Sequence, residues 1–139
     1  MLKSESLAFT YDGNYEFHFP DIELKKGENL LVLGESGIGK TTLIQILAGL
    51  LQPKSGNVEL NGTNFQSLSS KNLDLFRGQH IGMVFQRPHF VRNLSILDNL
   101  LLSLYLSKNK QDKTRATKLL EQIGLGNKLN SKPDQLSQG

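Results

Sequence analysis

Cysteine is absent from the 139 residues, which excludes a disulfide framework and any thiolate metal site and fits a reducing compartment. Histidine is scarce: His18, His80 and His89 are dispersed without ligand spacing and read as structural or solvent-facing. Long apolar runs are missing too. The greasiest stretch, Leu94 to Leu106, carries Asp98 and falls short of the ~20 residues a bilayer span requires. The N-terminus Met1-Leu2-Lys3-Ser4-Glu5-Ser6 has no apolar core of signal-peptide length. The expectation is therefore a protein that is not secreted and reaches a membrane only through a partner. Charge shows no run of one sign: sixteen Lys+Arg stand against thirteen Asp+Glu, net +3, and the basic residues are scattered. That pattern describes a solvated surface and gives no reason to expect a nucleic-acid partner. What the chain does have is 37% hydrophobic residues, enough for the core of one modest domain.

It also has one glycine-rich stretch around which the rest is organised: Gly34-Glu35-Ser36-Gly37-Ile38-Gly39-Lys40-Thr41-Thr42. This fits G-x-x-x-x-G-K-[ST], with the apolar run Leu30-Leu31-Val32-Leu33 in front and the helix-like run Leu43 to Ala48 behind. A strand that turns through glycines into a helix aims several backbone N–H groups and the positive end of the helix dipole at one point, which suits a polyphosphate. Gly34, Gly37 and Gly39 permit the tight, partly left-handed backbone that such a cradle needs. Lys40 then reaches the β- and γ-phosphates and the Thr41 hydroxyl can ligate Mg²⁺. The cradle alone does not choose among kinases, GTPases, motor ATPases and transporters.

Along the chain, Leu7 to Tyr11 and Tyr15 to Phe19 alternate about a turn at Asp12-Gly13-Asn14 and predict an antiparallel hairpin. Ile22-Glu23-Leu24 resumes the alternation, and Leu30 to Leu33 predicts a parallel strand covered on both faces. The helix from Lys40 should stop near Gly49. Asn57 to Leu60 predicts a strand closed by the turn Asn61-Gly62, and Ser69 or Ser70 a helix running to about Phe76 and ended by Gly78. Ile81 to Phe85 predicts a second buried strand delivering Gln86. A loop over Arg87-Pro88-His89-Phe90-Val91-Arg92 leads to a helix opened by Ser95 with Asp98 as a capping-box partner, apolar around much of its circumference and so packed on more than one side. A further helix starts at about Asp112, carries Ala116, Leu119, Leu120 and Ile123 on one stripe, and ends at Gly124. The tail from Leu125 reads as polar and loop-like. The fold class is α/β: a P-loop core with a parallel sheet and helices, preceded by antiparallel strands and followed by a partial helical subdomain.

Four features now stand in order: Tyr11, the cradle through Lys40, Gln86 at a strand end, and Leu136-Ser137-Gln138-Gly139. Together they resemble the nucleotide-binding domain of ATP-binding cassette (ABC) transporters, over essentially the whole chain. The stretch from His80 to Phe90, running on to Leu97-Asp98-Asn99, is similar to the branch that contains lipoprotein-releasing and macrolide-exporter ATPases. The resemblance implies that Tyr11, with Tyr15 in reserve, stacks on adenine, and that Gly34, Glu35, Ser36, Gly37, Ile38, Gly39, Lys40, Thr41 and Thr42 hold the phosphates of ATP. Thr41 and Gln86 would hold Mg²⁺, Gln86 also positioning the attacking water and sensing the γ-phosphate. Ser137 and Gly139 would cap the ATP of a partner subunit, so that two ATP molecules are sandwiched in a head-to-tail dimer. A separate permease would dock near Arg87 to Asn99. The protein would then lie on the cytoplasmic side, peripheral to the inner face of the cell membrane.

Departures accompany the match. Glu35 puts a carboxylate in the cradle and is expected to point outward, and Gln138 replaces the glycine more frequent at that place of the signature. The acidic pair and the switch histidine that follow the signature in the family have no counterpart in these 139 residues, so the domain reads as cut short at the signature. Its expected divisions are 1–30 antiparallel strands, 31–86 P-loop core and 87–139 helical subdomain. The leading expectation is an ATP-binding subunit coupling hydrolysis to export. The alternatives are a truncated nucleotide-binding module without turnover, and a soluble ABC-type ATPase acting on nucleic acid or ribosomes.

Overall fold

The computed structural model describes residues 1–87 and 89–136, so that Pro88 and the signature residues Ser137, Gln138 and Gly139 lie outside the described residues. The chain divides into two units, Met1–Leu73 and Asp74–Gly139.

The first unit is built on β1 (Leu2–Thr10). Its inward positions Ser4, Leu7, Ala8 and Phe9 are buried, and it has neighbours on both edges. One edge carries two short strands in succession. Strand β2 (Glu16–His18) pairs antiparallel through Phe9↔Phe17, and β3 (Ile22–Leu24) through Lys3↔Glu23. Between them Ser6 takes φ +51° and donates its N–H to Asp21 Oδ1 at 2.7 Å. The Pro20-Asp21 interruption thereby becomes a brace for an irregularity in β1. On the other edge runs β4 (Ser55–Leu60), antiparallel through Ser4↔Val58. It is joined to β5 (Thr63–Asn64) by Asn61 and Gly62, both at positive φ (+50° and +81°). Two successive left-handed residues make the primed turn that matches strand twist, the hairpin that Asn-Gly predicted. Helix α1 (Lys40–Leu47) buries Thr42, Leu43 and Ile46. Its chain leaves through Gly49 at φ +68°, as the C-terminal glycine predicted.

Two expected strands are not formed. Among the described residues Leu30 to Leu33 and Ile81 to Phe85 pair with nothing, and every strand pairing is antiparallel. The physical reason is that a doubly covered parallel strand exists only with a ladder partner beside it and a layer on each face. Residues 1–136 place neither there, so Leu31 and Leu33 remain 77% and 79% exposed and Val84 is fully exposed. The α/β class and the leading antiparallel strands hold; the parallel ladder within the P-loop core does not appear.

Helix α2 (Ser70–His80) opens as expected, the Ser69 carbonyl accepting from the Leu73 N–H at 2.9 Å, but it runs past Gly78 instead of stopping. Gly78 is there for space: an added Cβ would stand 2.5 Å from Ser107 Cβ. The second unit is centred on α3 (Ile96–Leu106) and α4 (Lys113–Gln122). Ser95 Oγ accepts from the Asp98 N–H at 3.0 Å and donates to the Asp98 carboxylate at 2.6 Å, which is the expected capping box. Asp112 caps α4 by accepting from the Arg115 N–H at 2.9 Å. Ile96, Leu97, Ala116 and Leu120 form the core of this unit. Leu119 and Ile123 of the expected stripe are exposed, and α3 buries its N-terminal half while Tyr105 and Leu106 face outward. The tail is less loop-like than its polarity suggests. Leu125, Leu129 and Leu136 pack on the core, with 3₁₀ turns at Gly126–Lys128 and Pro133–Gln135. The carbonyls of Leu129 and Ser131 accept from Leu97 and Ile96. Three well-spaced leucines suffice to dock a segment that composition alone calls solvated.

Candidate functional site

The glycine-rich stretch does what its sequence required of it locally. Gly37 and Gly39 take φ +85° and +101°, and Gly39 is the N-cap of α1 without a side-chain cap. The first helical amide with an intrahelical acceptor is that of Leu43, which donates to the Gly39 carbonyl at 2.8 Å. The N–H groups of Lys40, Thr41 and Thr42 thus stand ahead of the ladder at the positive end of the helix, and no acidic residue occupies the first turn. Such a donor set suits an anion, and the backbone path through it is open only to glycine. Gly34 (φ +154°) is crowded as well: an added Cβ would stand 3.0 Å from Ile38 Cγ2.

Lys40 folds back across this loop, its Nζ donating to the carbonyls of Gly34 at 2.8 Å and Glu35 at 2.5 Å. The ammonium is held over the same loop whose amides form the donor set, so both kinds of positive charge address one small volume. Glu35 meets Lys40 through its backbone, and its side chain is exposed, as expected for a carboxylate in an anion cradle. Ser36 and Ile38 are exposed at the loop surface.

Two threonines follow the lysine and face different ways, because successive helical residues point about 100° apart. Thr41 is exposed, leaving its hydroxyl accessible for a hard cation. Thr42 is 5% exposed, and its Oγ1 lies 2.9 Å from the hydroxyl of Tyr11. Tyr11 itself is 65% exposed and stands at right angles to Phe9 (centroids 4.8 Å) and Phe17 (6.2 Å). Phe17 in turn packs where a Gly39 side chain would be, and is stacked with Phe19 at 6.2 Å. The structure therefore brings Tyr11 to the cradle through the hairpin. Tyr15 is also exposed, perpendicular to Phe17 at 4.8 Å, but has no hydrogen bond to the helix. Sequence reasoning misses Thr42 as the partner of Tyr11, and Phe17 and Phe19 as the floor of the cradle. The available signal is the aromatic alternation Tyr15-Phe17-Phe19, which strand periodicity accounts for without any second role.

Gln86 lies in the second unit, exposed, in the extended segment before the loop. Beside it Phe85 and His89 rings are 4.8 Å apart. The loop that follows is clipped by Asn99. Its Oδ1 accepts from the Val91 N–H at 2.8 Å, and its Nδ2 donates to the carbonyls of Val91, Leu94 and Ser95. Phe90 and Val91 are thereby presented to solvent. Ser137 and Gly139 are outside the described residues. Among the described residues no group of His, Cys, Asp and Glu is arranged to hold a metal by itself, and no helix is long and apolar enough to cross a membrane.

A family model described as "ABC transporter" matches residues 18–139. The chain is 39% identical over 134 residues to the lipoprotein-releasing system ATP-binding protein LolD of Shewanella denitrificans, covering 93% of this chain and 58% of that protein. It is 40% identical over 122 residues to the macrolide export ATP-binding/permease protein MacB of Rhodopirellula baltica, covering 85% of this chain and 18% of that protein. Among solved structures, the dimeric post-hydrolysis state of the ATP-binding cassette MJ0796 with ADP and Pi superposes with a TM-score of 0.85 at 28% identity, over 99% of this chain and 63% of that one. The chain thus spans less than two thirds of the length of these relatives. Its backbone follows the cassette path even where the expected parallel ladder is unpaired.

Proposed function

Because the chain belongs to the ABC transporter family, we propose that it is the nucleotide-binding part of an ATP-hydrolysing transporter subunit, driving export through a separate permease. The observation that carries this reading is the cradle: left-handed glycines, free first-turn amides of α1 and the Lys40 ammonium directed at one point, with no competing carboxylate. On this reading residues 31–86 form the nucleotide-binding core behind the 1–30 strands, and 87–139 the helical part. Gly34 through Thr42 bind the phosphates of ATP and Tyr11 supplies the adenine platform. Thr41 and Gln86 would hold Mg²⁺, which when bound neutralises charge shared between the β- and γ-phosphates. Ser137 and Gly139 belong to the signature that serves the ATP of a partner subunit. The loop clipped by Asn99, with Phe90 exposed, is the surface proposed for the permease, which would place the chain on the cytoplasmic face of a membrane. The relatives named for lipoprotein release and macrolide export favour this reading over a role on nucleic acid or ribosomes.

Calorimetric titration with Mg-ATP tests the reading. Binding by the 139-residue chain is expected to fall at least about tenfold in Lys40→Ala, since a charge-assisted phosphate contact contributes roughly 1.5–3 kcal/mol. A parent chain that does not bind Mg-ATP, or a Lys40→Ala chain that binds it equally, would falsify the proposal. Phosphate release by these residues alone should stay near background, because they include no acidic pair after the signature. Sustained turnover would overturn that part.

A further inference from the structure

Thr41 and Thr42 stand side by side at the start of α1, yet only one of them is accessible. Thr42 is buried, and its hydroxyl meets that of Tyr11 at 2.9 Å. Tyr11 lies at the end of the hairpin, 31 residues earlier in the chain, and its ring is otherwise mostly open. Phe9 and Phe17 set its tilt by edge contacts at 82° and 89°. They leave the ring free to slide along its own plane. The hydroxyl contact removes that freedom, because it ties the far end of the phenol to the helix turn that carries the cradle amides.

Resting on the nucleotide-binding reading above, we propose that Thr42 is a positioning residue: through the Tyr11 hydroxyl it fixes the distance between the aromatic platform and the phosphate cradle, and so favours polyphosphates that carry a base over bare polyphosphate. A platform held in place loses less freedom when a base settles on it, which is the general advantage of a preorganised site. The contact requires a hydroxyl on both residues, and nothing about stacking by itself would require either.

The test compares Mg-ATP with inorganic tripolyphosphate, by calorimetry, on the parent chain, Tyr11→Phe, Thr42→Val, Thr42→Ser and the double variant Tyr11→Phe/Thr42→Val. One net hydrogen bond predicts ATP binding about three- to tenfold weaker in Tyr11→Phe and in Thr42→Val. Tripolyphosphate binding should stay within about twofold of the parent, and Thr42→Ser should bind ATP like the parent. The double variant should be no weaker than the weaker single, since both remove one contact. The inference is overturned if Tyr11→Phe binds ATP as well as the parent does, if losses add in the double variant, or if tripolyphosphate weakens as much as ATP. A loss of tripolyphosphate in Thr42→Val alone would put its hydroxyl on the phosphates instead, and would also overturn it. A parent chain that binds neither ligand overturns the nucleotide-binding reading itself; a parent that binds both while Tyr11→Phe is silent overturns only the positioning role.

Discussion

The ring of Phe17 occupies the space that a side chain on Gly39 would need: a Cβ there would stand 2.8 Å from Phe17 Cδ1 and 3.2 Å from Phe19 Cε1. The N-cap of α1 is therefore glycine for two reasons at once, its backbone at φ +101° and the aromatic floor beneath it.

Gly39→Ala should destabilise the chain by about 2–4 kcal/mol, the sum of a left-handed alanine and an overpacked contact. Urea denaturation measures it. Phe17→Leu in the same chain should restore part of the loss by making room, but not the part due to φ. Full restoration would show that sterics alone select glycine.

Asn99→Ala removes the clip on the loop before α3, leaving the Val91 amide without its acceptor. A loss of about 1–3 kcal/mol in local stability is expected. Hydrogen exchange at Val91 should accelerate accordingly, while Leu120 in the helical core keeps its protection. Unchanged exchange at Val91 would show that the loop holds itself.

Glu16 pairs with Lys54, linking β2 to the turn before β4. The hydrogen bond from the Lys54 ammonium holds the Glu16 carboxyl below its ordinary value of 4.5. A carboxylate whose folded value is depressed contributes stability above its unfolded value and loses it as pH falls through the folded one. The parent should therefore melt slightly higher than Glu16→Gln at neutral pH, with the gap closing below about pH 4 and shrinking in high salt. A gap that widens in acid would contradict the pairing.

Leu31, Leu33 and Val84 are apolar side chains in unpaired extended segments, and exposed apolar surface of this kind promotes association. Replacing all three by threonine should reduce hydrophobic-dye binding and self-association seen in light scattering. Folding stability should change by less than about 0.5 kcal/mol per site, as for surface positions. A large loss of stability would mean that these residues are packed in solution.

Features determined within a few residues of the chain are legible in the sequence alone. The cradle at Gly34 to Thr42, the primed turn at Asn61-Gly62, and the caps at Ser95 and Asp112 each depend on a local backbone conformation or on a side chain reaching the next turn. Their chemistry is written in adjacent residue types. The family resemblance is legible for the same reason, since its motifs are short and ordered. Gly78 misleads because glycine is both a helix stop and a place of close approach, and only Ser107, far along the chain, decides between them.

Sequence by itself determined the phosphate cradle, the hairpin in front of it and the helices behind. Tertiary structure decided that Thr42 faces Tyr11 while Thr41 faces solvent, that three leucines anchor a polar tail, and that Leu30 to Leu33 and Ile81 to Phe85 remain unpaired. An apolar run declares that it can be buried on both faces, but a strand exists only through hydrogen bonds to another segment. The pattern within one stretch of chain carries no information about whether that partner is in place.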